Sequence, residues 1–314
     1  MASVYNQYRK SLLGKRDINL MIYGHDFRFQ KMLEECSEDL EDKYVFFLIK
    51  DSCIEGEHNI LTACDKTFRV RKYFSMDYDG VILNHRINHY DVDLAMYCYV
   101  NHLPVIAIEQ NLYNINKKIF EQVQKEDANV KTIAGSKLIV KDFNISIPYI
   151  DYYINTEIFK PQPDRKRQIC IYGDFADVST NLIKKTTRFM KTVIMGEINK
   201  ILDYKDYIKN INESLFYGCF CRDEEQHISM FDAMSAGCIV IANNNVFTQY
   251  HIEHGQNGFI VNNELEFKHV IMNLTESQIA KISNNARQYV LDNFNSKESI
   301  KSLLSYFKYA SYIQ

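Results

Sequence analysis

Two acidic residues eight positions apart, Glu224 and Asp232, sit in a segment whose other residues suit a phosphorylated ligand. Glu224 lies in the polar run Arg222-Asp-Glu-Glu-Gln-His227, just after an apolar strand pattern that ends near Phe220. Asp232 lies inside the stretch Ile228–Ala236, where Ile228, Phe231 and Met234 recur at helical spacing. A helix opening at Gln226, His227 and Ile228 aims unpaired backbone N–H groups and the positive end of its dipole at whatever precedes it, and that is chemistry for phosphate. Carboxylates repel phosphate, so the two acids are better matched to hydroxyl groups, as an acidic residue is at a ribose. Phosphate at the helix terminus, ribose on one carboxylate and hexose on the other is the layout of a nucleotide-sugar site. Taken singly, each acid reads as an exposed loop or helix residue; the ordered series around them carries the assignment.

Such a site needs a parallel sheet behind it, and the chain supplies the pattern for two. Short apolar runs alternate with longer amphipathic stretches. The strand candidates in the first half are Ile18–Tyr23, Tyr44–Ile49, Gly80–Leu83, Val105–Ile108 and Lys137–Val140. In the second half they are Gln168–Tyr172, Thr192–Met195, Leu215–Phe220, Ile239–Ala242 and Phe259–Val261. Continuous apolar strands separated by helices such as Asp91–His102 predict an α/β chain of doubly wound parallel sheets. Gly24, Gly173 and Gly196 each follow a strand candidate, where a βα turn beside a ligand needs a small residue. Gly237 follows the helix ending Met234-Ser-Ala, as a left-handed cap does.

With 314 residues the chain is long enough for two domains. Three of its four prolines, Pro148, Pro161 and Pro163, cluster near the midpoint and end in the charged run Asp164-Arg-Lys-Arg167. That is linker composition, and it divides the chain into residues 1–160 and 161–314, with a ligand cleft expected between them. Asn295-Ser-Lys-Glu298 has the spacing of a capping box. The amphipathic segment it opens, residues 296–314, is expected to pack back on the first domain.

An apolar fraction of 46% excludes a disordered chain. No run approaches the roughly 20 residues of a membrane span, and no signal-peptide core follows the basic N-terminus. The eight cysteines are scattered without a CxxC pair, which fits reduced thiols in a cytoplasmic protein. A net charge of −3 gives no global attraction to nucleic acid.

At its second half the sequence resembles the C-terminal domain of GT-B glycosyltransferases, specifically the retaining family 4 group. That group shows E-x7-E, then A-M-x-x-G-x-P-V-V-A, then an acidic residue and D-G-x-N-G-x-L-V. This chain has Glu224-x7-Asp232-Ala-Met-Ser-Ala-Gly237-Cys-Ile-Val-Ile-Ala242 and then Glu253-His-Gly255-Gln-Asn257-Gly258-Phe-Ile-Val261. The linker Ile147-Pro148 to Phe159-Lys-Pro161 is similar to the group's I-P-N-G-V-D-x-x-x-F-x-P, and Asn285-Ala-Arg287 with Phe294 resembles its closing helices. The match spans residues 145–310, and the first half matches in architecture alone.

The resemblance implies a GT-B fold and transfer of a sugar, with retained configuration, from a nucleotide-diphosphate sugar such as a UDP-sugar. No metal or other cofactor is implied. Carried over by position, Glu224 faces the transferred sugar, Asp232 binds the ribose, and the amides at Gln226, His227 and Ile228 hold the diphosphate. The second acid is Asp where the group has Glu. The group also places Arg, and Lys five residues later, after the first strand of this domain. Here Gly173 is followed by Asp174-Phe-Ala-Asp177 without a base, which leaves Lys184, Lys185 and Arg222 to neutralise the diphosphate. His25, at the first βα turn, is the candidate base or donor facing the acceptor, and it can equally be a turn residue. His85 and His89 follow another strand end.

The acceptor is expected to be a saccharide or lipid-linked glycan. Two alternatives stay open. The run Lys66-Thr-Phe-Arg69-Val-Arg71-Lys72-Tyr-Phe74 interleaves bases with aromatics and keeps DNA with hydroxymethylated bases as an acceptor, as for phage-type DNA glycosyltransferases; a strand with one basic face looks the same. The missing loop bases suit a non-catalytic sugar-nucleotide-binding subunit. The basic N-terminal segment with Tyr5, Tyr8, Leu12 and Leu13 can lie on a membrane surface or pack as a short helix. Asp77-Tyr-Asp79 and Asp91-Val-Asp93 precede a strand or open a helix, positions that do not suit a metal-binding DxD.

Overall fold

The computed structural model describes residues 17–23, 27–49, 60–63, 66–69, 78–83, 103–109, 130–135, 137, 149–172, 190–195, 203–220 and 227–313. They fall into two compact units, Met1–Tyr152 with Lys297–Gln314, and Tyr153–Ser296.

In the first unit β1 (Ile18–Tyr23) is central. It is flanked by β2 (Tyr44–Ile49) and β5 (Gly80–Leu83), followed outward by β6 (Val105–Glu109) and β7 (Val130–Ala134). These five run parallel. The antiparallel hairpin of β3 (Ile60–Ala63) and β4 (Lys66–Arg69) extends the β2 edge, so this sheet is mixed. Lys66–Arg69, at the start of the basic-aromatic run, is thus an edge strand.

Helix α1 (Phe27–Ser37) buries Phe29, Met32, Leu33 and Cys36. The C-terminal helix (Glu298–Ile313) buries Ile300, Leu303, Leu304 and Phe307 within the same unit. Lys297 and Lys301 both pair with Asp39, Lys308 pairs with Asp42, and the Tyr44 hydroxyl donates to the Leu304 carbonyl. The Phe307 ring fills the space that a Cβ at Gly80 would need.

Two local expectations are corrected here. The fifth parallel strand is Val130–Ala134, not Lys137–Val140: Lys137 is helical and residues 138–140 lie outside the described ones. The last helix begins at Glu298, and Asn295 is not its cap. The Lys297 carbonyl accepts from the Lys301 N–H, while the Asn295 side chain turns to the Thr156 hydroxyl. The helix proposed over Asp91–His102 and the turns at Gly24 and Gly196 lie outside the described residues.

The second unit is a five-stranded parallel sheet, order β12-β11-β10-β8-β9. Its strands are β8 (Lys166–Tyr172), β9 (Thr192–Met195), β10 (Ser214–Cys219), β11 (Ile239–Asn243) and β12 (Phe259–Val261). The described helices are α2 (Tyr204–Glu213), α3 (Ile228–Ser235), α4 (Val246–His251), α5 (Glu264–Asn273) and α6 (Glu276–Asn293). Ile169, Ile171, Phe216, Ile239 and Ile241 form one core with Phe267, Val270, Ile271, Ile279 and Ile282 of α5 and α6. The described cysteines, Cys36, Cys170, Cys219 and Cys238, are buried and unlinked.

His251 closes α4 inside a ring of aromatic side chains, Phe231, Phe247, Tyr250, Tyr289 and Phe294. Its Nδ1 pairs with the Tyr289 hydroxyl at 2.8 Å. Burial pushes the imidazole down to about 3 from 6.5, so the folded protein holds it neutral. In the unfolded chain it takes up a proton below pH 6.5, so stability is complete above that pH and falls as the pH drops toward 3. Between pH 6.5 and pH 5 the loss is about 1.6 kcal/mol. Urea unfolding of the protein and of His251→Phe at both pH values measures it; equal pH slopes for the two proteins would exclude this account.

Candidate functional site

The order of the second sheet locates the site before any motif is consulted. Strand β8, first in the chain, has β9 on one side and β10 on the other, and the connections turn away in opposite directions from there. In an open parallel sheet the ligand crevice forms beyond the carboxyl ends of the two strands at such a switch point. Strands β8 and β10 are in register through Ile171 and Gly218, so their carboxyl ends lie side by side. Gly173 follows one strand directly in sequence, while Arg222, Glu224 and Gln226 follow the other within the connection to α3. Those four residues lie outside the described ones, as do Lys184, Lys185, His25, His85 and His89.

What is described is the start of α3. His227 is its N-cap, with extended backbone at φ −112° and ψ 94°, and its side chain makes no capping hydrogen bond. Each of the other described helices of this unit is capped by a side chain: Asp203 for α2, Asn245 for α4, Asn263 for α5 and Thr275 for α6. A helix terminus has several N–H groups without intrahelical partners. At α3 the His227 side chain does not answer them, and this end of the helix is the one that the connection from β10 enters.

Ile228 is buried, as is every residue of α3 through Ser235. Asp232, one turn along, accepts a 2.6 Å hydrogen bond from the Tyr207 hydroxyl of α2. Its neighbour Ser229 accepts from the Tyr217 hydroxyl at 2.8 Å. Tyr207 is the residue of this region that the sequence did not disclose. It lies 25 positions from its partner, and no local pattern marks it.

The far end of α3 explains much of the motif series in mechanical terms. Gly237 takes φ +73°, donates to the Met234 carbonyl, and is followed by Cys238 donating back to Ala233. That is a Schellman cap, which needs a residue free to adopt left-handed backbone. Pro161 packs where a Cβ at Gly237 would sit, 3.2 Å away. Asn257 is a turn clamp: its Oδ1 accepts from the Glu253 N–H and its Nδ2 donates to the His251 carbonyl. Gly258 passes close to strand β11, with the Val240 carbonyl 3.2 Å from where its Cβ would be.

A cavity of about 300 Å³ opens among Gly255, Phe259, His269, Asn273, Gln278 and Lys281. It lies at the amino end of the edge strand β12, away from the carboxyl ends of β8 and β10, and none of the predicted site residues lines it. Among the described residues no group of three acidic, histidine or cysteine side chains could hold a metal ion, and no helix is long and apolar enough to cross a membrane.

No family model and no curated protein sequence matches the chain. Solved structures do. Anabaena HepE, crystallised with UDP and glucose, superposes with a TM-score of 0.59 over 92% of this chain and 98% of its own, at 13% identity. Sucrose-phosphate synthase from Thermosynechococcus elongatus gives 0.59 over 93% and 98%, at 11% identity. A glycosyltransferase from Rickettsia africae gives 0.55 over 94% and 99%, at 14% identity. The chain has the GT-B fold. Its two units are the two Rossmann-like domains of that fold, and helix α3 belongs to the second.

Proposed function

We propose that this GT-B protein is a glycosyltransferase that takes its sugar from a nucleotide-diphosphate donor, a UDP-sugar foremost. The observation that carries the reading is the convergence at the β8/β10 switch point. A helix terminus that the His227 side chain does not cap, and whose amides suit a diphosphate, stands there, and the connection leading into it contains Glu224. The presence of UDP and glucose in HepE, a structure of the same fold, supports the choice of donor.

In this reading the amides at Gln226, His227 and Ile228 hold the diphosphate and stabilise it as it leaves. Glu224 faces the transferred sugar. Gly173 lets the chain pass close to the donor, and Lys184, Lys185 or Arg222 offsets its charge. His25, after β1 of the first domain, serves the acceptor, a saccharide or lipid-linked glycan. Transfer with retention and without a metal follows from the resemblance of the E-x7-D series to the family 4 group, while a cytoplasmic setting, peripheral at the inner membrane face, is inferred from the scattered cysteines and the basic N-terminal segment.

The test is thermal unfolding against a panel of nucleotide-sugars. A true donor binds the folded state alone and raises Tm with concentration, by about 2.7 kcal/mol of stabilisation at a hundredfold excess over Kd. UDP and a UDP-sugar are expected to shift Tm while free glucose and UMP shift it less, because the diphosphate meets the helix terminus. A panel with no shift would remove the donor assignment. Transfer that persists in EDTA is the accompanying expectation.

A further inference from the structure

The E-x7-D series places a carboxylate at Asp232, where the resemblance expects a ribose contact, but the structure gives that carboxylate other work. Asp232 has 0% of its surface exposed. Its Oδ2 is bonded at 2.6 Å by the Tyr207 hydroxyl, and Tyr207 is itself wholly buried. The Tyr207 ring is fixed on two sides, stacked on Tyr204 with centroids 6.1 Å apart and edge-on to Phe159 at 5.9 Å. Phe159 in turn is held by its carbonyl, which accepts from Ser235 and Arg287.

A hydrogen bond to a ribose hydroxyl requires donor and acceptor within about 3 Å. A carboxylate with no surface open to water offers a ribose no approach. Aspartate is also one methylene shorter than glutamate, and here the short side chain ends on a phenol of the neighbouring helix. The bond spans α2 and α3, and α3 is the helix that follows β10 at the switch point.

We infer that Asp232 and Tyr207 are positioning residues: they tether α3 to α2 from behind the donor site, and the ribose diol is not read by this carboxylate. The nucleotide then gains nothing from Asp232 through its 2′-hydroxyl. The statement about ribose rests on the nucleotide-sugar reading above; the tether does not.

The experiment compares the parent with Asp232→Asn, Tyr207→Phe and the double variant. Kd is measured for UDP and for 2′-deoxy-UDP, and each protein is unfolded by heat. Each single variant is expected to lower Tm, and the double variant to fall no further than the worse single one, since both remove the same bond. Both nucleotides should weaken by the same factor in every variant, leaving the ratio of their Kd values within about twofold of the parent's. A charged hydrogen bond to the ribose is worth roughly tenfold or more in binding. If Asp232→Asn shifts the ratio that far while Tyr207→Phe does not, the carboxylate reads the sugar and the inference fails. Additive losses of Tm would also overturn it. If neither nucleotide binds the parent, the donor reading falls, while the unfolding data still decide the tether.

Discussion

Replacing Glu224 by alanine is expected to lower the rate of sugar transfer about 10²–10³-fold, the range seen when one preorganised electrostatic contact to a transition state is lost. Sugar transfer from a nucleotide-diphosphate builds positive charge on the sugar as the diphosphate departs. A carboxylate facing the sugar and a helix terminus facing the phosphates serve the two ends of that separation. Helix α3 begins at Ile228, and the His227 side chain does not cap it. Glu224 lies four residues ahead of Ile228, in the connection that leaves β10 at the switch point. Glu225 is the internal control: it has the same charge and the same loop, but lacks the eight-residue spacing to Asp232. Glu225→Ala should retain most of the rate. Initial rates with a donor that raises Tm, measured beside unfolding curves for both variants, decide the matter. Equal rates for Glu224→Ala and the parent would refute the catalytic assignment of Glu224, and donor binding without any transfer by the parent would favour a sugar-nucleotide-binding subunit.

The sequence exposed those parts of the fold whose burial is uniform. Strand β11 shows how: Ile239 to Ala242 are all buried, so the run is apolar without interruption and reads as a central parallel strand. Strand β7 is the contrary case. It pairs with β6 alone among the named strands, and Lys131 is exposed. An edge strand that keeps one flank in water has no continuous apolar run, and the more apolar Lys137–Val140 competes with it. The β3–β4 hairpin was hidden likewise. Ala63 pairs with Lys66, so two residues connect the strands, and Cys64-Asp65 is not the Asn-Gly or Asp-Gly that marks such a turn.

At the last helix a correct local rule met a stronger tertiary one. Asn295 and Glu298 have capping spacing, yet the Lys297 ammonium reaches both Asp39 and the Glu35 carbonyl, and the helix opens at Glu298. For the site the balance is similar. Spacing and a family resemblance led to Glu224, Asp232 and the α3 terminus, because those signals are contiguous in sequence. The partner of Asp232 is not contiguous. Tyr207 meets it only because α2 and α3 pack against β10 and each other, and that pairing converts a residue with the ligand-binding position of a motif into a buried anchor.

Arg287→Ala should cost the second domain about 3 kcal/mol, a larger loss than is expected from the His251 titration at pH 5. The guanidinium gathers three backbone carbonyls from two stretches of chain. Its Nη1 donates to Ser235 at 2.7 Å and to Phe159 at 3.0 Å, and its Nη2 donates to Thr156 at 3.3 Å. Ser235 is the last residue of α3, so its carbonyl is at the negative end of the helix dipole, where a cation is favoured. Hydrogen bonds to a charged group are worth roughly 1.5–3 kcal/mol each when intact, and a buried carbonyl left without a donor costs about 1–3 kcal/mol. The sum is not additive, because the Ser235 hydroxyl still serves Phe159 at 2.6 Å after the arginine is gone. Thr156 and the Ser235 carbonyl have no such second donor among the hydrogen bonds described, and they set the loss near 3 kcal/mol. For a domain of this size that is a fall of roughly 6–12 °C in Tm. Arg287→Lys separates the two contributions: an ammonium keeps the charge at the helix end but lacks the planar fork that reaches Ser235 and Thr156 together, so it should recover less than half. Full recovery by lysine would mean that charge alone holds the segment, and no loss with alanine would mean that Phe159 and Pro161 seat it by packing.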